Sequence, residues 1–281
     1  MKSGSFFLKK NFQLNQIFPK NKFKFNFKVN KVMPLDKAKK NDLSFFDSSR
    51  YKSFAINTNC GACITSKELV KYLPKDIQVI LNLTIPTAHY LIAKKSLLNG
   101  KHVYSEKPLA VSLKEGKELI KIAKRKKLFI GNAPDTFLGG GNQKARELLD
   151  KKVIGKVKFG TGIFAYPGIQ SYHPNPEPWF AKKGGGPVID MGPYYLTALV
   201  NLLGPAKEVT SISSKGVNKR TIGIGPKKGK KFTVKCPTTY FSTIKFHNGT
   251  IIRLTLSFDV ISHLRNHIEL YGENGSMIVP D

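Results

Sequence analysis

The chain has 281 residues, a formal net charge of +29 and 41% hydrophobic residues. That length can bury a core in one large domain or two smaller ones, and the apolar fraction excludes wholesale disorder. No apolar run approaches the ~18 residues of a spanning helix, and three cysteines exclude a disulfide framework, so a reducing, cytoplasmic setting without a membrane partner is expected.

The 47 basic residues divide into 41 Lys and 6 Arg. Proteins that read phosphates or base edges favour the planar, bidentate Arg fork. Here Lys is spread along the chain without an Arg cluster or interleaved aromatics, so no nucleic-acid partner is expected and A-rich coding bias is the simpler source of charge.

Residues 1–60 carry 13 basic and 3 acidic side chains, with no acid before Asp36 and no glycine between Gly4 and Gly61. Lys, Asn and Phe fill 19 of the 27 positions from 6 to 32. Residues 22–29 alternate polar and apolar as an amphipathic strand does. The segment lacks the Arg and the compact apolar stretch of a targeting peptide. A/T-only codons write these residue types, so 1–60 reads as a divergent basic segment, in part degenerate or out of frame.

From about residue 76 the pattern becomes regular. Residues 77–85 are an apolar, β-rich run suited to a buried parallel strand. A helix follows over 87–99, stopped at Gly100, then a short strand over 102–104. Ser112 and Glu115 form a capping box before an amphipathic helix over 113–126, and 128–131 is a further strand. This rhythm predicts right-handed crossovers and a parallel sheet.

Beyond Pro134 the spacing predicts a helix over 142–151, a strand over 157–166, and a loop rich in Pro, His and aromatics over 171–180. Gly184-Gly185-Gly186 precedes a helix over 193–203 closed by Gly204. Strands are predicted over 207–215, 232–246, 250–258, 267–271 and 276–279. Asn248-Gly249 and Asn274-Gly275 are hairpin signals whose central residues take φ > 0. The second half is thus read as an antiparallel sheet with one or two helices, and its end directly after a strand as a C-terminal truncation.

Open parallel sheets bind ligands at the carboxyl ends of their strands. Two segments lie there: Asn82-Leu83-Thr84-Ile85-Pro86 with His89, and Ser105-Glu106-Lys107-Pro108. By pattern alone either could be a plain strand exit, with Pro86 and Pro108 shaping turns and Glu106 and Lys107 a solvated pair. The longer run from Leu97 to Ala110 (LLNGKHVYSEKPLA), taken with Thr84-Ile85-Pro86, His89 and the later Gly184 to Tyr195 (GGGPVIDMGPYY), resembles the signature of the glucose–fructose oxidoreductase / inositol dehydrogenase (Gfo/Idh/MocA) family. The resemblance covers about residues 76–281.

The resemblance implies an α/β Rossmann-like parallel sheet over 61–135, its first strand-turn-helix unit divergent or missing. An α+β domain with an open antiparallel sheet follows over 136–281, serving substrate binding and oligomerisation. It implies hydride transfer between NAD or NADP and a sugar, polyol or related alcohol. By analogy Lys107 meets the nicotinamide and the reacting hydroxyl, where an ammonium can hydrogen-bond the oxygen and exchange its proton. Glu106 orients that turn and Pro108 fixes it, while Thr84, Pro86 and His89 line the dinucleotide cleft. Asp190 and Tyr194, one helical turn apart, face the substrate. Many family members carry His at the Tyr194 position and others Tyr, and a phenol can relay a proton. The residues alone leave open a plainer reading in which Asp190 or Gly192 caps a helix and Tyr194 is core. His173, in the Pro-rich loop, is a candidate substrate contact. The implied partners are a small sugar or polyol and a second copy of the chain.

No metal site is expected. Cys60-Gly61-Ala62-Cys63 lacks two further ligands at suitable spacing, and His263 and His267 fall in a loop and a strand. Gly139-Gly140-Gly141 lacks the Lys-Ser/Thr of a phosphate cradle and suits a domain boundary. G-x-G-x-x-G is not found, since positions 5–60 hold no glycine. Asp36 stands as the candidate acid after a second strand. Two readings therefore remain beside the enzyme: a non-catalytic or truncated family remnant that binds cofactor poorly, and a basic nucleic-acid-binding protein.

Overall fold

A computed structural model describes residues 12–13, 28–29, 31–40, 42–46, 49–65, 72 and 78–280. The chain divides into two compact units, Met1–Ala133 and Pro134–Asp281. Most of the strand expected over 22–29 lies outside the described residues. Its last two, Lys28–Val29 (β2), pair antiparallel with Phe12–Gln13 (β1).

The first unit is built on a parallel sheet of Lys31–Val32 (β3), Asp42–Phe46 (β4), Ala62–Thr65 (β5), Val79–Asn82 (β6), His102–Ser105 (β7) and Ile130–Asn132 (β8). These strands lie side by side in chain order. β3 and β4 precede residue 60, so the segment read as separate belongs to the same sheet. Strands of two to five residues that include Lys, Asp and Ser show too few periods to stand out in the sequence. Both edges of β5 are taken, Cys63 aligning with Ser44 of β4 and with Ile80 of β6.

Among the described residues the unit's α-helices are Lys52–Ile56 (α1), Pro86–Leu98 (α2) and Leu113–Lys126 (α3). Gly100 follows α2 with φ +74°. The Ser112 hydroxyl caps α3 by accepting the Glu115 N–H at 3.3 Å. Ala93 and Leu97 of α2 pack with Leu119 and Ile122 of α3 on Val103 of β7. Phe46, Ala55, Cys60, Cys63 and Ile80 form a second core. The Cys63 thiol, hydrogen-bonded to the free Cys60 thiol and buried, is pushed above its ordinary value. Among the described residues no group of three or more potential ligands could hold a metal ion.

The second unit contains Gly140–Asp150 (α4), Val157–Ala165 (β9), Pro187–Asp190 (α5), Gly192–Leu203 (α6), Ala206–Ser214 (β10), Lys219–Thr221 (β11), Lys231–Thr233 (β12), Thr239–Phe246 (β13), Ile251–Ser257 (β14), Ile268–Gly272 (β15) and Ser276–Val279 (β16). Its main sheet runs β10-β13-β14-β9-β15-β16. The pair β14–β9 is parallel and the others antiparallel, so the expected antiparallel sheet is a mixed one. The long connection from β9 to β14 is what permits them to run the same way. The single strand expected over 232–246 is two, and Pro237, which cannot donate to a ladder, lies between them.

Ile252, Leu254 and Leu256 of β14 alternate inward onto Ala198, Leu199 and Leu202 of α6, the period-2 pattern of a half-buried strand. The edge strand β10 is exposed along its whole length; on the face away from α6 Ile212, 75% accessible, aligns with Phe241, whereas Val209 aligns with the core residue Ile244. The β13–β14 loop differs from the two-residue turn expected. Gly249, at φ +91°, is left-handed while Asn248 is not, and Gly249 N–H donates to the Phe246 carbonyl at 3.0 Å. Neither Asn274 nor Gly275 is left-handed. Gly272 N–H to the Gly275 carbonyl (2.8 Å) and Asn274 N–H to the Ile154 carbonyl (3.0 Å) shape that turn instead.

A charged strut joins the end of β14 to the loop after β9. Arg220 donates to Asp259 Oδ1 at 2.6 Å and to the carbonyls of Phe258 (2.7 Å) and Pro167 (2.5 Å). Asp259 Oδ2 accepts the hydroxyls of Thr238 (2.6 Å) and Thr239 (2.7 Å). The two charged side chains are 9% and 20% exposed, so removing one partner strands the other charge. Asp259→Ala is expected to lower stability by about 3 kcal/mol, read from the urea midpoint of the purified chain.

His102 on β7 accepts the Phe129 N–H through Nδ1 at 2.9 Å, and burial lowers its pKa from the ordinary value. The unfolded chain therefore binds that proton more readily. No penalty exists above about pH 6.5, and stability falls as pH drops through and below that value. Between pH 7 and pH 5 the wild-type urea midpoint is expected to fall further than that of His102→Gln.

Candidate active site

Side-chain amides organise the carboxyl edge of the first unit's sheet. Asn82, the last residue of β6, is fully buried. Its Oδ1 accepts the Thr84 hydroxyl at 2.7 Å and its Nδ2 donates to the His89 carbonyl at 3.3 Å. The Asn82 carbonyl accepts the Glu106 N–H at 2.8 Å, joining the β6 and β7 exits. Asn132, at the end of β8, donates from Nδ2 to the carbonyls of Ser105 (3.0 Å) and Glu106 (2.8 Å). In the sequence Asn82 stood only as the first residue of the segment 82–86, and Asn132 did not stand out. The available signal was an amide at the end of an apolar strand, where it can pair exposed main-chain groups.

Thr84, Glu106 and Lys107 are half-buried on these turns. Glu106 Oε2 accepts the Lys107 N–H at 2.9 Å. Pro86 opens α2 at its first position, and Pro108 is buried. His89 differs from its expected place. It is fully buried, with Nε2 2.7 Å from the Thr84 carbonyl and Nδ1 2.6 Å from the Pro108 carbonyl. Both ring nitrogens are thus engaged by main chain, and the ring does not line a cleft.

A hydroxyl, a carboxylate and an ammonium on adjacent strand exits are a donor set that fits the nicotinamide end of a dinucleotide. The pyrophosphate end has no such set among the described residues. A dinucleotide crevice opens where strand order reverses, and β3 to β8 run without reversal. Asp36 lies in an exposed turn ahead of β4 and does not end a strand. In the sequence it is Asp47 that directly follows β4, and it lies outside the described residues.

In the second unit the glycine-led segment approaches its own chain closely. A Cβ on Gly185 would lie 2.5 Å from the Ala181 carbonyl oxygen, and Gly186 takes φ +91°. The expected single turn linking Asp190 and Tyr194 is broken at Met191: Asp190 ends α5, and Tyr194 lies in the first turn of α6. Met191, without a side-chain cap bond, occupies the α6 N-cap, so neither Asp190 nor Gly192 caps that helix. Tyr194 packs partly buried against the α6 core, while Tyr195 is the buried one, its hydroxyl 2.6 Å from His267 Nδ1.

His173 accepts the Asn175 N–H at 3.1 Å, and its ring lies 4.7 Å from that of Trp179. Tyr166, directly after β9, was overlooked because it read as the last residue of a strand. Its hydroxyl lies 3.2 Å from that of Tyr172. Burial, the Tyr172 bond and the Asp190 charge together push the Tyr166 phenol up. The structure thus pairs Tyr166 with Tyr172 and sets the Tyr166 phenol within electrostatic reach of Asp190. No helix among the described residues is long and apolar enough to cross a membrane.

Comparison with known proteins gives two family matches. The oxidoreductase family, NAD-binding Rossmann fold, matches residues 21–132, and the GFO/IDH/MocA C-terminal domain matches 142–278. The first match begins well before residue 76, so the reading of this stretch as foreign or out of frame does not hold from residue 21 on. The chain is similar to trans-1,2-dihydrobenzene-1,2-diol dehydrogenase of Xenopus tropicalis, 32% identical over 170 residues, covering 60% of this chain and 50% of that protein. It is similar to D-glucoside 3-dehydrogenase of Escherichia coli strain K12, 29% identical over 190 residues, covering 60% and 49%. The chain thus spans about half the length of these two curated relatives. Its fold resembles that of an NAD binding oxidoreductase from Klebsiella pneumoniae, with TM-score 0.67, 22% identity and coverage of 84% and 63%. A levoglucosan dehydrogenase in complex with NADH and L-sorbose gives TM-score 0.68, 20% identity and coverage of 83% and 62%. With the NAD-binding half and the C-terminal half both matched in order, the chain belongs to the Gfo/Idh/MocA oxidoreductase family.

Proposed function

We propose that the chain is a nicotinamide-dependent dehydrogenase or reductase acting on a CH–OH group of a sugar or polyol, with Lys107 at the reacting hydroxyl. The observation that carries this reading is the half-buried Lys107 on the β7 exit, its N–H held by Glu106. When bound, NAD or NADP supplies the acceptor or donor of hydride. Thr84, Glu106 and Pro86 would hold its nicotinamide end. In the oxidation direction Lys107 Nζ, as the neutral amine, accepts the hydroxyl proton and becomes the ammonium; in the reverse direction the ammonium hydrogen-bonds the carbonyl oxygen and returns that proton. Asp190 accepts hydrogen bonds from substrate hydroxyls. Tyr194 and His173 contribute further polar contacts, and Tyr166 joins them beside Asp190. Relatives named for D-glucoside and levoglucosan support a carbohydrate as the substrate class.

A second reading, a chain that keeps the fold but grips the dinucleotide weakly, is favoured by the unreversed strand order. NADH and NADPH fluorescence titration separates the two. The enzyme reading expects saturation below about 1 mM, and Lys107→Ala lowering kcat about 1000-fold with the fold retained. Unchanged turnover in that variant refutes the acid/base assignment, and no fluorescence change refutes the enzyme reading for this chain.

The exposed face of the mixed sheet supports self-association with a second copy. Ile212 and its cross-strand neighbour Phe241 lie uncovered there, and contiguous exposed apolar surface marks interfaces. Sedimentation is expected to give a dimer or larger for the wild type and a monomer for Ile212→Lys.

A further inference from the structure

His89 bridges two strand exits with one ring. Thr84 belongs to the turn after β6 and Pro108 to the turn after β7, and the imidazole contacts the carbonyl of each, at 2.7 and 2.6 Å. The same two exits are also joined by the Glu106 N–H to the Asn82 carbonyl, and the Asn132 amide ties β8 to the carbonyls of Ser105 and Glu106, while the Asn82 side chain bonds Thr84 within its own turn. The His89 contact is the one that reaches Pro108, the residue next to Lys107. A carbonyl oxygen only accepts, so the ring must donate wherever it bonds; a neutral imidazole donates on one side and the cation on both. Without that donor, a buried carbonyl is left unpaired and the turn shifts to find a partner.

We propose that His89 is a positioning residue: it fixes the Lys107-Pro108 end of the turn against the β6 exit, and so sets where the Lys107 ammonium stands. His89 itself touches neither cofactor nor substrate. The proposal rests on the reading of Lys107 as the acid/base group. Placement matters at such a group, because a displacement on the order of 1 Å costs about 100-fold in rate.

The test pairs amide hydrogen exchange with kinetics on the full chain, comparing wild type, His89→Leu and His89→Gln. His89→Leu is expected to speed exchange of the Glu106 and Lys107 amides about 10-fold while leaving α3 unchanged. The same variant should lower kcat about 100-fold with KM for the alcohol and Kd for NADH within about threefold. His89→Gln, which keeps one amide donor, should recover about tenfold of that loss. Unchanged exchange at Glu106 and Lys107 overturns the proposal. So does a uniform acceleration through α2, β6 and α3 with kcat and NADH binding lost together, which marks a general structural role. Where His89→Leu fails to fold, His89→Gln carries the same exchange comparison. Where wild type and Lys107→Ala both lack turnover, the Lys107 reading fails, and the exchange data alone decide the clamp.

Discussion

The carboxyl edge of a parallel sheet is where main-chain groups run out of ladder partners, and their pairing governs the first unit. Asn82, Asn132 and His89 supply those partners from side chains, Asn82 within its own turn and Asn132 and His89 at carbonyls of the β7 exit. Because three strand ends are stitched together, the turn bearing Glu106 and Lys107 rests on a fixed floor. A charged side chain can then be held half-buried without the backbone beneath it relaxing.

The second unit solves a different problem. One face of its sheet is sealed by α6, and the other is open along β10 and β13. Its aromatic loop is fastened by the Arg220–Asp259 strut, whose hydrogen bonds reach Pro167, Phe258, Thr238 and Thr239. Such a network holds the β9 exit, and with it Tyr166, in register with the end of β14. The glycines at 184–186 let the chain pass close to Ala181 before α5 delivers Asp190.

Long, strongly patterned elements were legible in the sequence. The capping box at Ser112 and Glu115 and the alternation of β14 each reappear within a residue or two. The Glu106-Lys107-Pro108 turn was legible through its motif. Less visible were β3 and β4, too short and too mixed in polarity to signal a strand, so the first sixty residues looked foreign to the fold. The parallel pairing of β9 with β14 could not be read locally, since hairpin signals report only adjacent strands. His89 stood out in the sequence, but as a cleft-lining residue rather than a buried clamp. A motif marks a position, whereas burial and hydrogen-bond partners decide what the ring does there. Tyr166 was hidden by lying at the end of a well-formed strand.

Strand order in the first unit bears on how the two units form. From β3 to β8 every strand pairs with its predecessor in the chain, so each pairing closes a short loop at modest entropic cost. Folding of that kind can proceed strand by strand as the polypeptide emerges. The central pair of the second unit is otherwise, since Phe159 must wait for Ile251 before β9 gains its parallel neighbour. The first unit is thus the one whose pairings can form early, and the second the one whose central pairing must wait.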